Sequence, residues 1–127
     1  MSKVVLDASA LLALLNDEPG AKEVEQAIPG AAISAVNLSE VVAKLAESGM
    51  PEDAIRQALG AIELEVHPFD AALAYRTGIL RVQTRSLGLS LGDRACVALG
   101  GYLGAPVLTT DREWKHLEVG VEVRLVR

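Results

Sequence analysis

The chain has 127 residues, a net charge of −5 and 50% hydrophobic residues, and 23% of its residues are charged. These values are typical of one folded domain, and they exclude a disordered chain and a pair of domains. A single cysteine excludes an intramolecular disulfide, and with only two distant histidines beside it the chain has no set of zinc ligands. The lack of a leader or of a long apolar run predicts a soluble, cytoplasmic protein.

The first third of the chain predicts two short strands separated by helices. KVVL at 3–6 is an apolar run that ends at Asp7, which is typical of a buried parallel strand. A helix from Ser9 to about Asp17 is expected to follow, and AKEVEQAI at 21–28 resumes the helical spacing after a Pro-Gly interruption. AAIS at 31–34 then predicts a second strand.

The middle of the chain predicts a helical hairpin, a strand and a long helix. Apolar residues at helical spacing over 36–48 indicate an amphipathic helix, and a turn containing proline leads to a second helix over 54–61. ELEVHPF at 63–69 alternates and predicts a third strand that ends at Pro68. Asp70 is placed to cap a helix that reaches about Arg85.

The last third predicts a helix over 92–103 and two strands. VLTTD at 107–111 has the same design as VVLD, with apolar residues followed by an acid, and VEVRLV at 121–126 has the pattern of an edge strand. Strands separated by helices, without hairpins, predict a single α/β domain over 1–127: a three-layer α/β/α sandwich around a mainly parallel sheet. VVL and VLT are expected to be neighbours in that sheet.

Four acids are predicted to lie at one edge of this sheet. Asp7 and Asp111 follow strands, Asp93 opens a helix, and Glu40 lies in the early turns of the helix after AAIS. Ligand sites of open parallel sheets lie at the carboxyl ends of the strands. Each acid also has an ordinary explanation: Asp7 and Asp111 as helix caps, Asp93 as the partner of Ser90 in a capping box, and Glu40 as a solvated helix position.

The combination of these acids favours a metal site. Carboxylates that meet without a counter-ion repel one another, and a cation relieves that repulsion. Ligands that are all oxygen select hard ions such as Mg²⁺ or Mn²⁺. Such an ion can orient a phosphodiester and activate a water for attack, so the pattern indicates phosphodiester hydrolysis.

Four segments together resemble the PIN-domain ribonucleases, specifically the small VapC type of toxin–antitoxin systems: VVLDASALLALL, NLSEV, LSLGDRACVALG and LTTDREW. The resemblance implies an endoribonuclease that depends on Mg²⁺ or Mn²⁺, forms a homodimer and binds an antitoxin peptide over its active-site groove. The acids that it assigns to catalysis and metal binding are Asp7, Glu40, Asp93 and Asp111. Ser9 and Thr110 match positions that support such a cluster.

Basic residues are concentrated in the second part of the chain. Residues 1–70 carry 12 acidic and 4 basic groups, whereas residues 71–127 carry 5 acidic and 8 basic groups. The candidates for RNA contact are Arg76, Arg81, Arg85 and Arg94. The alternative for this run of arginines is a solvated helix face.

Other classes of protein fit the sequence less well. A receiver-type phosphoacceptor domain needs an acidic pair after its first strand and a lysine after its last core strand, whereas VVLDAS has one acid and LTTDRE has no lysine. A dehalogenase-type phosphatase needs a second acid at position 9, which is serine. A catalytically silent PIN-like module that binds RNA or protein stays open.

Apolar residues on two segments exceed what one sheet face requires. These segments are the first helix and the hairpin at 36–61. The excess predicts burial against a partner, and the alternative is ordinary core, because fully buried helices are apolar on all sides.

Overall fold

A computed structural model describes residues 2–127 as five strands and six helices around one sheet. The strands are Val4–Leu6 (β1), Ala31–Ser34 (β2), Glu65–His67 (β3), Val107–Thr109 (β4) and Val123–Leu125 (β5). The helices are Ala8–Leu15 (α1), Ala21–Ala27 (α2), Ala35–Glu47 (α3), Glu52–Gly60 (α4), Ala71–Thr84 (α5) and Leu91–Leu103 (α6). Short 3₁₀ turns lie at Ile28–Gly30, Arg85–Leu87 and Arg112–His116. Among these residues, no helix is both long and apolar enough to cross a membrane.

The sheet has the order β3-β2-β1-β4-β5, and every neighbouring pair is parallel. Val5 of β1 lies between Ala32 of β2 and Val107 of β4. The predicted α/β fold is confirmed, and so is the prediction that VVL and VLT are neighbours. Because all five strands point the same way, their carboxyl ends lie at one edge of the sheet.

The two faces of the sheet are covered by different helices, which gives the predicted three layers. Leu6 points to one face and packs in a core with residues of α1, α2, α3 and α4. Val5 points to the other face and packs in a second core with Trp114 and residues of α5 and α6. Both strand residues are fully buried. This is why β1 reads as a continuous apolar run rather than as an alternating one.

The apolar excess on α1 belongs to the core, as the alternative interpretation of the sequence has it. Leu11 is fully buried, and Leu12, Leu14 and Leu15 are partly buried against the same core. Contacts with α2, with α3 and with the sheet occupy several sides of this short helix. The excess on α1 is therefore not a partner surface.

Element ends differ from the expected ones by a few residues. β3 begins at Glu65, two residues later than the pattern from 63 predicts, and it ends before Pro68 as predicted, because proline has no backbone N–H to donate. β5 covers 123–125 of the predicted 121–126, and both Val121 and Val123 pack against the second core. It is an edge strand, as predicted.

Candidate active site

Asp7 lies at the carboxyl end of β1 and is held by donors from two elements. It is 5% exposed and caps α1, where its Oδ1 accepts the Ala10 N–H at 2.8 Å and the Ser9 hydroxyl at 2.7 Å. Its Oδ2 accepts the Thr109 hydroxyl of β4 at 2.5 Å. A carboxylate has about four acceptor sites, so Oδ2 keeps capacity for a further ligand.

Burial raises the pKa of Asp7 from 3.8 to about 6. The hydrogen bonds from Thr109, Ser9 and Ala10 act in the opposite direction and lower the pKa, while the negative charge of Asp93 raises it further. These two acids come from different elements, because Asp7 precedes α1 and Asp93 lies in the first turn of α6. A charge at Asp7 is therefore costly unless a cation offsets it.

Of the two adjacent threonines, Thr109 rather than Thr110 donates its hydroxyl to Asp7. Thr109 is fully buried, and its Oγ1 also accepts the Asp111 N–H at 3.0 Å. Thr110 contributes its backbone N–H, which donates to Ser9 Oγ at 3.0 Å. The register explains the difference, because Leu6 pairs with Leu108, and one further step places Thr109 beside Asp7. The sequence contained two adjacent threonines but not the register that selects between them.

Glu40 of α3 lies against the first turn of α6. Its Oε1 accepts from Asn37 Nδ2 at 2.8 Å, and the same Nδ2 donates to the Gly92 carbonyl at 3.0 Å. A methyl group at Gly92 would come within 2.3 Å of Glu40 Oε2. Glu40 therefore reaches the residue next to Asp93. Neither Asn37 nor Gly92 was among the predicted site residues.

Asp93 and Asp111 each accept a backbone N–H at the start of a helical segment. Asp93 Oδ2 accepts the Ser90 N–H at 3.0 Å, and Ser90 Oγ accepts the Asp93 N–H at 3.1 Å, which completes a capping box. Asp111 is exposed, and its Oδ1 accepts the Glu113 N–H at 3.0 Å. Capping occupies one oxygen of each side chain, so it does not exclude a metal-binding role for the other.

The charges of three of the four acids act on one buried residue, Cys96 of α6. Burial raises the pKa of its thiol, and the negative charges of Asp7, Asp93 and Glu40 raise it further. These three acids come from the start of α1, from α3 and from the start of α6. Asp111 is not among them and is linked to the group through Thr109.

None of the four acids forms an ion pair with a Lys, Arg or His within residues 2–127. In the same part of the chain, no three Asp, Glu, His or Cys side chains lie close enough together to hold one ion. The fold therefore brings Asp7, Glu40 and Asp93 to one edge, while their oxygens do not converge on one point in this side-chain arrangement.

The donor chemistry fits a hard divalent ion. All four acids supply oxygen, and Mg²⁺ and Mn²⁺ prefer carboxylate ligands. Glu40 Oε2, Asp93 Oδ1 and Asp111 Oδ2 accept no hydrogen bond from residues 2–127.

The four arginines that were predicted to contact RNA have different surroundings. Arg81 and Arg85 are exposed, at the end of α5 and just after it. Arg76 lies over the Tyr102 ring, with 5.7 Å between its guanidinium carbon and the ring centroid. Tyr102 follows Asp93 by nine residues, which is about 14 Å along the helix. Arg76 therefore lies near the opposite end of α6 from Asp93.

Arg94 differs from the other arginines because it links two helices. Its Nη1 donates to the Thr77 carbonyl of α5 at 3.0 Å, and its Nε is buried without a partner among residues 2–127. The structure therefore places this guanidinium between α5 and α6 rather than on an open surface.

Comparison with known proteins identifies the family. A family model for the PIN domain matches residues 4–120. The chain belongs to the PIN domain family. This match confirms the predicted family and sets aside the receiver-type and dehalogenase-type alternatives. No curated protein shows a significant sequence match to this PIN domain.

Solved structures share the fold of this PIN domain. DNA-bound VapBC from Salmonella typhimurium matches with a TM-score of 0.78 and 24% identity, and 100% of each chain is covered. A toxin–antitoxin complex from Klebsiella pneumoniae matches with a TM-score of 0.79, 21% identity and 98% of each chain. Mycobacterium tuberculosis VapC20, a sarcin–ricin loop cleaving toxin, matches with a TM-score of 0.71 and 17% identity. The match covers 94% of this chain and 99% of that chain.

Proposed function

We propose that this PIN domain is a metal-dependent endoribonuclease of the VapC type, which hydrolyses RNA phosphodiester bonds as the toxin of a toxin–antitoxin pair. One observation carries the proposal: Asp7 is buried where β1 and β4 end, and Asn37 joins Glu40 to the residue before Asp93, while none of these three acids has a basic partner in residues 2–127. The similar structures support it, since VapC20 is a toxin that cleaves the sarcin–ricin loop and others are toxin–antitoxin complexes.

The proposed metal is Mg²⁺ or Mn²⁺, and its ligands are Asp7, Glu40, Asp93 and Asp111. When bound, such an ion orients a phosphodiester and activates a water for attack on phosphorus. Asp7 is the rigid member of this set, because Ser9, Thr109 and the start of α1 hold its carboxylate.

The two acids nearer to solvent are suited to the substrate side of the site. Asp111 is exposed and Asp93 is partly exposed, and each keeps an oxygen without a protein donor in the described part of the chain. Arg81 and Arg85 are exposed on the segment that leads into α6, where Asp93 lies. We expect these two arginines to contribute more to RNA binding than Arg76 or Arg94.

Two apolar surfaces suit the proposed protein partners. A groove of about 710 Å³ lies beside α3 and α4, and Val42, Met50 and Leu59 are among its lining residues. We assign this groove to the antitoxin. Tyr75 and Ile79 are 79% and 69% exposed on α5, and we assign that face to homodimer formation.

The alternative is a catalytically silent PIN-like module. It is favoured by the finding that no three potential ligands in residues 2–127 lie close enough to hold an ion. Metal-dependent cleavage distinguishes the two functions, because a silent module has neither metal affinity at the acids nor RNA products.

The test compares two aspartates at helix starts. Asp93 is the third residue of α6 and accepts the backbone N–H of the N-cap Ser90, whereas Asp70 is itself the N-cap of α5, where its Oδ1 accepts the Leu73 N–H at 3.0 Å. Asparagine is a comparable capping residue, so both Asp→Asn variants should fold. We expect Asp93→Asn to abolish RNA cleavage in Mg²⁺ or Mn²⁺ and to weaken Mn²⁺ binding in calorimetry, while Asp70→Asn changes neither.

Thermal melts serve as the folding control, and chelation by EDTA should stop cleavage by the wild type. Sequencing of RNA 5′ ends after expression without an antitoxin would then identify the bond that is cut. Equal cleavage and equal metal affinity in wild type and Asp93→Asn would refute the proposed role of Asp93. A wild type that binds no metal and cleaves no RNA would favour the silent module.

A further inference from the structure

Asn37 connects the helix that carries Glu40 to the helix that carries Asp93. It lies in the first turn of α3 and is 1% exposed. Its Nδ2 donates to Glu40 Oε1 at 2.8 Å and to the Gly92 carbonyl at 3.0 Å. The amide therefore uses both of its hydrogens in one bridge between two elements.

The chemistry of this bridge requires an amide. Both partners are acceptors, so a group that meets them must donate two hydrogen bonds, and neither an aspartate nor a leucine of similar size can do so. Asn37 Oδ1 has no hydrogen-bond partner within residues 2–127, although it is buried. A buried polar atom without a hydrogen-bond partner lowers the stability of the fold. Stability alone therefore does not explain why an asparagine occupies this position.

Gly92 forms the opposite wall of the same contact. A Cβ built there would lie 2.3 Å from Glu40 Oε2 and 2.5 Å from Glu40 Oε1. Real Cβ atoms do not approach oxygen so closely, so any side chain at position 92 would displace the Glu40 carboxylate. The φ of Gly92 is not positive, so the backbone itself does not require glycine here.

We propose that Asn37 and Gly92 are positioning residues that seat the Glu40 carboxylate beside Asp93. Asn37 fixes Oε1 by a hydrogen bond, and the missing side chain of Gly92 gives the carboxylate its space. Glu40 has a long side chain with considerable rotamer freedom, and this contact restricts that freedom before a metal binds. The inference rests on the proposed metal centre, of which Glu40 is a member.

The first test measures Mn²⁺ affinity by calorimetry in Asn37→Leu, which keeps the volume and removes the donor. Residues that orient metal ligands typically contribute about 10- to 100-fold in affinity, and we expect a loss of that size. In a Glu40→Ala background the same Asn37 change should cause no further loss, because the side chain that it orients is gone. A purely structural role would lower affinity equally in both backgrounds and would overturn the proposal.

The second test uses a matched pair of helical glycines. Gly92→Ala should weaken Mn²⁺ binding, and it should have no further effect in Glu40→Ala. Gly78 of α5 has no atom within 4 Å of a built Cβ, so Gly78→Ala should bind Mn²⁺ as the wild type does. Alanine is the better helix former at both positions, so Gly92→Ala decides the question if Asn37→Leu does not fold.

A third readout needs no metal. In ¹H–¹⁵N spectra of the metal-free protein, the side-chain amide resonances of Asn37 should shift in Glu40→Ala and stay unchanged in Glu47→Ala, on the same helix. Absence of the Glu40-dependent shift would overturn the contact itself. If Asn37→Leu and Gly92→Ala both bind Mn²⁺ as tightly as the wild type does, the positioning role alone is overturned. If the wild type itself does not bind Mn²⁺, the metal centre and this inference are refuted together.

Discussion

At the residue scale, Asp7 combines a local structural role with a charge that the fold disfavours. Its carboxylate caps α1 and accepts hydrogen bonds from Ser9 and Thr109, all of which favour the ionised form. Burial outweighs them, and the pKa of Asp7 is raised to about 6. The metal-free protein should therefore be less stable at neutral pH than a version without this charge.

This imbalance predicts a pH dependence of folding. The pKa of Asp7 is about 6 in the folded protein against 3.8 without its surroundings, so the folded state binds the proton more tightly. The free energy of unfolding should fall as pH rises from about 4 to above 6, by at most about 3 kcal/mol from this group. Asp7→Asn removes the effect, so in EDTA at pH 7.5 we expect it to be more stable than the wild type.

Urea unfolding at pH 5 and pH 7.5 measures this difference. Asparagine can keep the cap at Ala10, and the Thr109 hydroxyl can accept from the new amide instead of donating to a carboxylate. Exposed groups with shifted pKa values, such as Glu65, contribute equally to both proteins and cancel in the comparison. An identical pH dependence in wild type and Asp7→Asn would contradict the prediction.

At the element scale, the position of α6 on the sheet decides where Asp93 and Cys96 lie. Gly100 makes the close approach possible, because a built Cβ would lie 2.7 Å from Val107 Cγ1 of β4 and 3.1 Å from the Ala105 carbonyl oxygen. β4 ends at Thr109, which contacts Asp7. The packing of α6 against β4 therefore connects two parts of the candidate site.

Neighbouring glycines of α6 allow a matched test of this packing. Gly100→Ala must move α6 or Val107, and we expect it to lower the free energy of unfolding by about 1–3 kcal/mol. At Gly101 a built Cβ has no atom closer than 3.6 Å, so Gly101→Ala should raise stability by up to about 1 kcal/mol through helix propensity. Urea unfolding of both variants checks the prediction, which would be wrong if Gly100→Ala were as stable as Gly101→Ala.

At the scale of the whole molecule, α5 presents an apolar stripe to solvent. Tyr75, Ile79 and Val82 are 79%, 69% and 70% exposed, and their spacing places them on one side of the helix. From the sequence, the arginines of this segment were predicted to contact RNA. The stripe is instead the surface that we assign to self-association.

We expect Ile79→Glu to shift the protein from dimer to monomer, because a charge would be buried in the interface. Sedimentation velocity over a range of concentrations measures the change. Val42→Glu, which places the same charge in the groove beside α3 and α4, should leave self-association unchanged. A wild type that is monomeric at all concentrations, or a dimeric Ile79→Glu, would contradict the assignment.

The sequence by itself determined the features that depend on residues close in the chain. Burial on both faces makes β1 uniformly apolar, and helix starts select capping residues such as Asp7, Asp70 and the pair Ser90 and Asp93, so these were predictable. Strands that alternate with helices also determined the α/β class, because parallel strands require crossover connections. The carboxyl ends of parallel strands lie at one edge of a sheet, so the four acids, which follow strands or lie in the early turns of helices, were expected at that edge.

Only the tertiary structure decided which distant side chains meet. Thr109 contacts Asp7 across 102 residues of sequence, and Asn37 contacts Gly92 across 55, so neither follows from local pattern. Arg94 reads in the sequence as a free basic group, yet the packing of α6 on α5 directs it to the Thr77 carbonyl. The physical reason is that strand register and helix packing are set by the whole core, whereas caps and periodicity are set within a few residues.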